Sequence, residues 1–251
     1  MHTQRTATLR ISSVSLIAAM ALAGGLLTAC SSTASAETVS AAMTHSHAGH
    51  SHSDHGNAST AEYASEQAKK VKPATAEAQL QAAMRTLWDQ HMAWTWSTVV
   101  AFAEDSPGLD ATVSRLLQNQ ADIGAAVAPF YGDEAADQLT ALLQTHITDA
   151  VPVLTAAKAG DTVALQAALD AWHANAREIA DFLASANTAW PQDDMRAMMA
   201  THIDQTTAYA SAVIGGDYAT AIATFDEAQA HMAQMADELS AGLIAQFPKE
   251  F

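Results

Sequence analysis

From Ala76 onward, apolar side chains recur three and four residues apart. Leu80, Met84, Leu87, His91, Trp94, Thr98 and Phe102 make one stripe. Leu139, Leu142, His146, Ala150, Val153 and Ala157 make a second, and Met195, Met198, His202, Thr206, Tyr209 and Val213 a third. This is the helical period, and no segment alternates with the period of two that a half-buried strand needs. The breaks between stripes carry helix stop and start signals. Gly160-Asp161 and Gly216-Asp217 each set a glycine where one helix ends and an aspartate where the next is capped, while Ser106-Pro107 and Trp190-Pro191 put proline at a first helical position. The pattern predicts six helices, near 76–104, 107–129, 133–159, 161–187, 191–215 and 217–246. Pro152 falls inside the third and should kink it.

The helices repeat in pairs. Thr145-His146-Ile147 returns 56 residues later as Thr201-His202-Ile203, and the same offset relates Gly160-Asp161 to Gly216-Asp217, Asp170 to Asp226, and Ala180-Asp181 to Ala236-Asp237. A fainter first copy has Asn119, Asp122 and Ile123 lying 56 before Asn175, Glu178 and Ile179, with His91 lying 55 before His146. The expected fold is therefore all-α: three tandem helical hairpins closing into one antiparallel bundle over residues 76–251. A closed bundle is favoured over a stacked solenoid because the terminal copies are no more polar than the middle one.

The chain before Ala76 reads differently. Arg5 and Arg10 precede a mostly apolar run, Ile11 to Leu27, that is broken by Gly24-Gly25 and ends in Leu27-Thr28-Ala29-Cys30. A membrane span needs roughly 20 uninterrupted apolar residues, so this order predicts a cleaved signal peptide over 1–29. Leu-Thr-Ala-Cys resembles the lipobox of bacterial lipoproteins, which implies that Cys30 carries the lipid and becomes the mature N-terminus. Cys30 is the only cysteine, so the sequence offers neither a disulfide nor a thiolate metal site. Residues 30–75 are dominated by Ser, Thr, Ala, Gly and His and should form a flexible tether.

Charge narrows the partners. The chain carries 27 acidic and 11 basic residues, a net −16; loss of Arg5 and Arg10 with the signal leaves nine basic residues and a net −18. So acidic a surface argues against nucleic acid and against polybasic attachment to anionic lipid. The expected location is extracytoplasmic, held to the cell membrane, or to an outer membrane where one exists, by the acyl chains alone. A protein partner in the envelope is a further expectation.

The histidines supply the candidate chemistry. His146 lies about 14 residues before the Gly160-Asp161 turn, so near Asn175 the returning helix reaches the same height, ~21 Å from the turn at ~1.5 Å rise per residue. The same reasoning pairs His202 with His231, and His91 with the stretch Asn119 to Asp122. Hairpins packed in register would bring these polar stations into one interior layer. An unsatisfied buried amide or imidazole costs of order 1–3 kcal/mol, so the layer must be paired or ligated. A hydrogen-bond network of His, Asn, Thr and water would satisfy it. So would a transition-metal site with His91, His146, His202 and His231 as neutral imidazole ligands and Asp122 or Glu178 completing the set, which suits zinc, iron, nickel or copper(II). No Glu-x-x-His, His-Glu-x-x-His or Cys-x-x-Cys occurs. Met198 and His202, like His231 and Met235, stand four apart and could suit copper(I), but the repeat places Leu142 and Ile179 at the methionine positions, which favours core filling. The five tryptophans are expected in the core and at helix interfaces. In the tether, His45, His47, His50, His52 and His55 could chelate divalent ions weakly and release them, or could simply belong to a polar spacer.

Leu87-Trp88-Asp89-Gln90-His91-Met92-Ala93-Trp94-Thr95, the stretch Asn119 to Gly132, the run Asn175 to Ala180 and the ending Gln246 to Phe251 together resemble a family of bacterial helical proteins. The resemblance spans Leu87 to Phe251 and implies a helical bundle with histidine at the places of His91, His146 and His202; His173 and His231 match the pattern less closely. It brings no established activity. Some members carry a glycosyltransferase label, against which the missing strand-helix alternation of a nucleotide-sugar site argues. The leading functional expectation is a tethered lipoprotein that sequesters or hands over a transition metal. The alternatives are a structural or partner-docking bundle with buried non-ligating histidines, and a metal-dependent enzyme. The enzyme ranks last, because no nucleophile, base and oxyanion set can be assembled.

Overall fold

The computed structural model describes residues 74–251. The expected signal peptide, Cys30 and, in the expected tether, His45, His47, His50, His52 and His55 lie outside the described residues. Within them the fold is all-helical: α1 (Ala76–Ala103), α2 (Leu109–Tyr131), α3 (Asp133–Ala159), α4 (Thr162–Ala186), α5 (Gln192–Ile214) and α6 (Tyr218–Gln246). None of these helices is long and apolar enough to cross a membrane.

The punctuation works largely as the sequence reads. Gly160 ends α3 in the left-handed conformation (φ 67°) and Asp161 accepts from the backbone N–H groups of Val163 and Ala164 to start α4. Gly216 (φ 77°) precedes Asp217, which accepts from Thr220 N–H at the head of α6. Two proline positions shift. α2 begins at Leu109, because Asp105 turns to φ 51° and Ser106 to Gly108 are spent in the turn; Pro191 is the residue before α5 and not its first. Helix α2 also continues past Pro129 to Tyr131, and α3 stays helical through Pro152, each proline sacrificing one main-chain donor.

Each helix packs on its sequence neighbours, and α6 closes the ring on α1. The odd helices α1, α3 and α5 also meet one another through the middle, whereas α2, α4 and α6 each fill the groove between two of them. The three hairpins thus stand around a pseudo-threefold axis, as tandem copies closing on themselves would.

The junctions between hairpins repeat as well. Asp237 of α6 takes both Nε and Nη2 of Arg85 on α1 at 2.6 and 2.5 Å, and Asp181 of α4 takes the same two atoms of Arg196 on α5 at 2.7 Å each. The third junction, α2 with α3, has Ala125 and Thr140 at the corresponding positions. There Gly124 lies so close to α3 that a Cβ would overlap the Thr140 side chain and the Ala136 carbonyl. The repeat puts Ala180 and Ala236, both fully buried, at the place of Gly124. Two junctions are clasped by charge and one by close approach of backbones.

Candidate metal centre

His91, His146 and His202 come from α1, α3 and α5, the three helices that meet at the axis, and each is at least nine-tenths buried. The rings of His91 and His146 each lie 5.6 Å, centroid to centroid, from that of His202. This is the interior layer the repeat spacing implies. Burial, the largest cause, and the His146 imidazole pull the His91 pKa down to about 3; burial pulls that of His146 to about 4, and burial with the surrounding imidazoles pulls that of His202 well below its ordinary value. All three rings are neutral at pH 7.

The outer helices support the layer by one repeated contact. Asn119 Nδ2 donates to the Leu87 carbonyl (3.1 Å), Asn175 Nδ2 to that of Leu142 (3.2 Å) and His231 Nε2 to that of Met198 (3.0 Å). Each acceptor lies four residues before the layer histidine on the same helix. This assigns His231 its place: it occupies the outer-helix position of Asn119 and Asn175 and braces α5, instead of joining the layer as a fourth ligand.

What the outer helices do for the imidazoles themselves differs in each hairpin. In the second, Asn175 spends its amide hydrogen on Leu142, so its Oδ1 faces His146 Nδ1 at 2.9 Å and that nitrogen must donate. The tautomer is thereby fixed with a bare lone pair on Nε2, which is buried without a partner. In the first hairpin, Gln120 Nε2 stands 3.0 Å from the Leu116 carbonyl, 3.2 Å from Asn119 Oδ1 and 3.2 Å from His91 Nδ1, so two amide hydrogens are shared among three acceptors; an amide nitrogen cannot itself accept, so His91 Nδ1 is the acceptor and its proton sits on Nε2. In the third, His231 offers His202 nothing, and His202 Nδ1 is buried without a partner. One layer therefore holds a donor ring, an acceptor ring and an uncommitted one. Trp172 adds to the second station by donating Nε1 to the His146 carbonyl at 2.8 Å.

The expected carboxylates are not brought to the layer. Asp122 accepts from Gln118 and lies 3.5 Å from Arg115, both one or two turns back along α2, and Glu178 is on the exposed side of α4. Each lies about 4.5 Å farther along the helix than the station's asparagine and about 60° around it, which carries it from the buried centre of the inward stripe to the stripe's edge. His173 likewise faces outward, 3.4 Å from Asp204. Among the described residues, no three His, Cys, Asp or Glu side chains converge to hold an ion as they stand. The residue that spacing alone could have found is Gln120. It lies 29 residues beyond His91, the separation that also relates His146 to Asn175.

Cavities flank the layer on both sides. One of about 50 Å³ is bounded by the three histidines, Gln120 and a wall that includes Met84, Met199, Met232 and Met235. The other, about 80 Å³, is bounded by the same histidines and by Thr95, Thr98, Thr148, Thr206 and Thr207. The hydroxyls of Thr98, Thr206 and Thr207 are buried without partners, so this second chamber suits ordered water. The layer is a septum between a thioether side and a hydroxyl side. The chain matches no protein-family model, no curated protein and no solved structure.

Proposed function

We propose that this chain is an extracytoplasmic protein, anchored by lipid on Cys30, that binds a transition-metal ion at the layer of His91, His146 and His202, with His45 to His55 as a weaker loading segment. The observation that carries the reading is the state of His146. Its Nδ1–H is held by Asn175, which fixes the tautomer and leaves the Nε2 lone pair bare, buried and beside His202. That is the arrangement in which a second partner prepares an imidazole for a metal. His202, committed to nothing, can turn either tautomer toward the same point. Asp122 and His231 are engaged elsewhere and Glu178 faces solvent, so all three drop out of the proposed ligand set.

The test is metal content by mass spectrometry on the full chain purified without an affinity tag, with the five tether histidines replaced by serine. Near one equivalent of metal, lost in the His146→Ala and His202→Ala variants, supports the site. Metal that disappears with the tether histidines, or none at all, overturns it.

A second reading rests on a separate observation. His91 presents an N–H and His146 a lone pair, with the His202 ring 5.6 Å from each, so a small side-chain movement would link the three rings by hydrogen bonds with no ion present. In that case the bundle is a docking or structural element of the envelope, and the histidines specify its interior.

A further inference from the structure

Resting on the metal-binding reading above, we infer that the ion this layer selects is copper(I), held by His146 and His202 with a thioether from the methionine-lined cavity beside them. Three observations lead there.

The first is donor number. His91 Nδ1 faces the Gln120 amide nitrogen and its Nε2 carries the proton, so His91 could ligate only if that amide turned over and gave up both the Leu116 carbonyl and Asn119 Oδ1. The free nitrogens are on His146 and His202. Zinc in a protein takes four donors, or three and a water, and nickel(II) and iron(II) commonly take more. Two imidazoles leave all three short.

Charge is the second. The layer holds no carboxylate: Asp122 pairs with Arg115 and Glu178 faces solvent. A divalent ion would enter with its full charge uncompensated, in a site walled almost entirely by carbon and sulfur. The cost of burying an ion rises with the square of its charge, so a monocation pays a quarter of that penalty.

The third is the wall. Met84, Met199, Met232 and Met235 bound the same cavity as the three histidines. Three of them lie on the third hairpin, whose repeat counterparts at the same places in the second are Leu143, Ala176 and Ile179. Methionine thus stands at three positions that aliphatic residues fill in the second hairpin, next to the one histidine with no partner. Thioether sulfur is a soft donor that favours copper(I) over the divalent ions, which prefer nitrogen and oxygen. The opposite, threonine-lined chamber presents hydroxyls and no soft donor, so the selectivity resides on the methionine side.

The experiment uses the full chain with the five tether histidines replaced by serine. Copper(I), kept reduced under ascorbate without oxygen, is titrated in competition with bicinchoninate, and zinc(II), nickel(II), iron(II) and copper(II) are titrated alongside. The expected result is one equivalent of copper(I) bound at least about tenfold more tightly than any of the divalent ions, a difference of about 1.4 kcal/mol. The variant M84L/M199L/M232L/M235L is expected to lose at least about tenfold in copper(I) affinity, with its zinc affinity unmoved. X-ray absorption of the copper-loaded unsubstituted bundle should show a sulfur neighbour, a readout that does not depend on how the quadruple variant folds. A zinc or copper(II) preference that depends on His146 and His202, or a copper(I) complex with nitrogen neighbours alone, overturns the copper(I) inference and leaves the metal-binding reading standing. Failure of every ion to bind overturns both.

Discussion

His146 and Asn175 stand 29 residues apart in the chain and 2.9 Å apart across the second hairpin, Nδ1 to Oδ1, and that contact decides which nitrogen of His146 is free. The same Asn175 amide reaches the Leu142 carbonyl, so one side chain both braces the helix and sets the tautomer. Replacing Asn175 by Leu leaves the His146 Nδ1–H buried without an acceptor. The expected loss is about 1–3 kcal/mol in denaturant unfolding, together with loss of bound metal. A variant that melts normally and keeps its metal would contradict the role given to Asn175.

His231 offers a contrasting case. It does for Met198 what Asn119 and Asn175 do for Leu87 and Leu142, so His231→Asn restores the residue type of the other two hairpins. Stability and metal content should both stay near those of the unsubstituted chain. His231→Leu deletes the contact and should cost about 1 kcal/mol, again with metal retained. Loss of metal in the asparagine variant would return His231 to the ligand set.

Acid should unfold the metal-free bundle early. His91 and His146 titrate at about 3 and about 4 in the folded chain, against about 6.5 when unfolded. Above that upper value both states hold neutral rings and these groups add no pH dependence. Below it the unfolded chain takes up protons that the folded one refuses, so stability falls as pH drops from about 6.5 toward 4, by up to ~1.4 kcal/mol per pH unit for each histidine. His202, also depressed, steepens the slope. Asp181 and Asp237, lowered chiefly by their hydrogen bonds to Arg196 and Arg85, act in a separate and lower window: their contribution is present above the ordinary carboxylate range and is lost only as pH falls through their folded values. Urea titrations of the metal-free protein at pH 7, 6 and 5 should show the decline, and His202→Leu should flatten it by about one histidine's share. Equal stability at pH 7 and pH 5 would mean that the layer is open to water.

Two close approaches fix the packing of the ring. A Cβ on Gly242 of α6 would overlap the Trp190 indole, and one on Gly124 of α2 would overlap Thr140 and the Ala136 carbonyl of α3. Gly242→Ala and Gly124→Ala should each destabilise by about 1–3 kcal/mol, although alanine favours helices by about 0.5–1 kcal/mol over glycine at ordinary interior sites. A gain in melting temperature in either variant would show that the helices are farther apart than described.

Much of this was legible in the chain. The 3.6-residue period placed all six helices, and the 56-residue repeat placed the three histidines on the odd helices at one height, where they meet. Height is not orientation, however. Asp122 and Glu178 fall within a turn of the right level, but the offset of about 60° from Asn119 and Asn175 is enough to carry them from the buried centre of the inward stripe to its edge. The 56-residue repeat selects Asn119 and not Gln120; the first hairpin is one residue shorter between the histidines, and it divides between Asn119 and Gln120 the two contacts that Asn175 makes alone. Nor could period or composition show that Met84, Met199, Met232 and Met235 converge on a single cavity, since they come from three helices whose mutual rotation only packing determines.

The most direct test is the state of the His146 ring. Long-range proton–nitrogen NMR on the full chain with the tether histidines replaced should find metal-free His146 protonated on Nδ1 and bare on Nε2. On addition of one equivalent of copper(I), the Nε2 resonances of His146 and a ring nitrogen of His202 should shift while Nδ1–H of His146 persists. Imidazole nitrogens that stay unmoved by copper(I) and by zinc(II) would contradict the metal site and leave the three rings as an internal hydrogen-bonded layer.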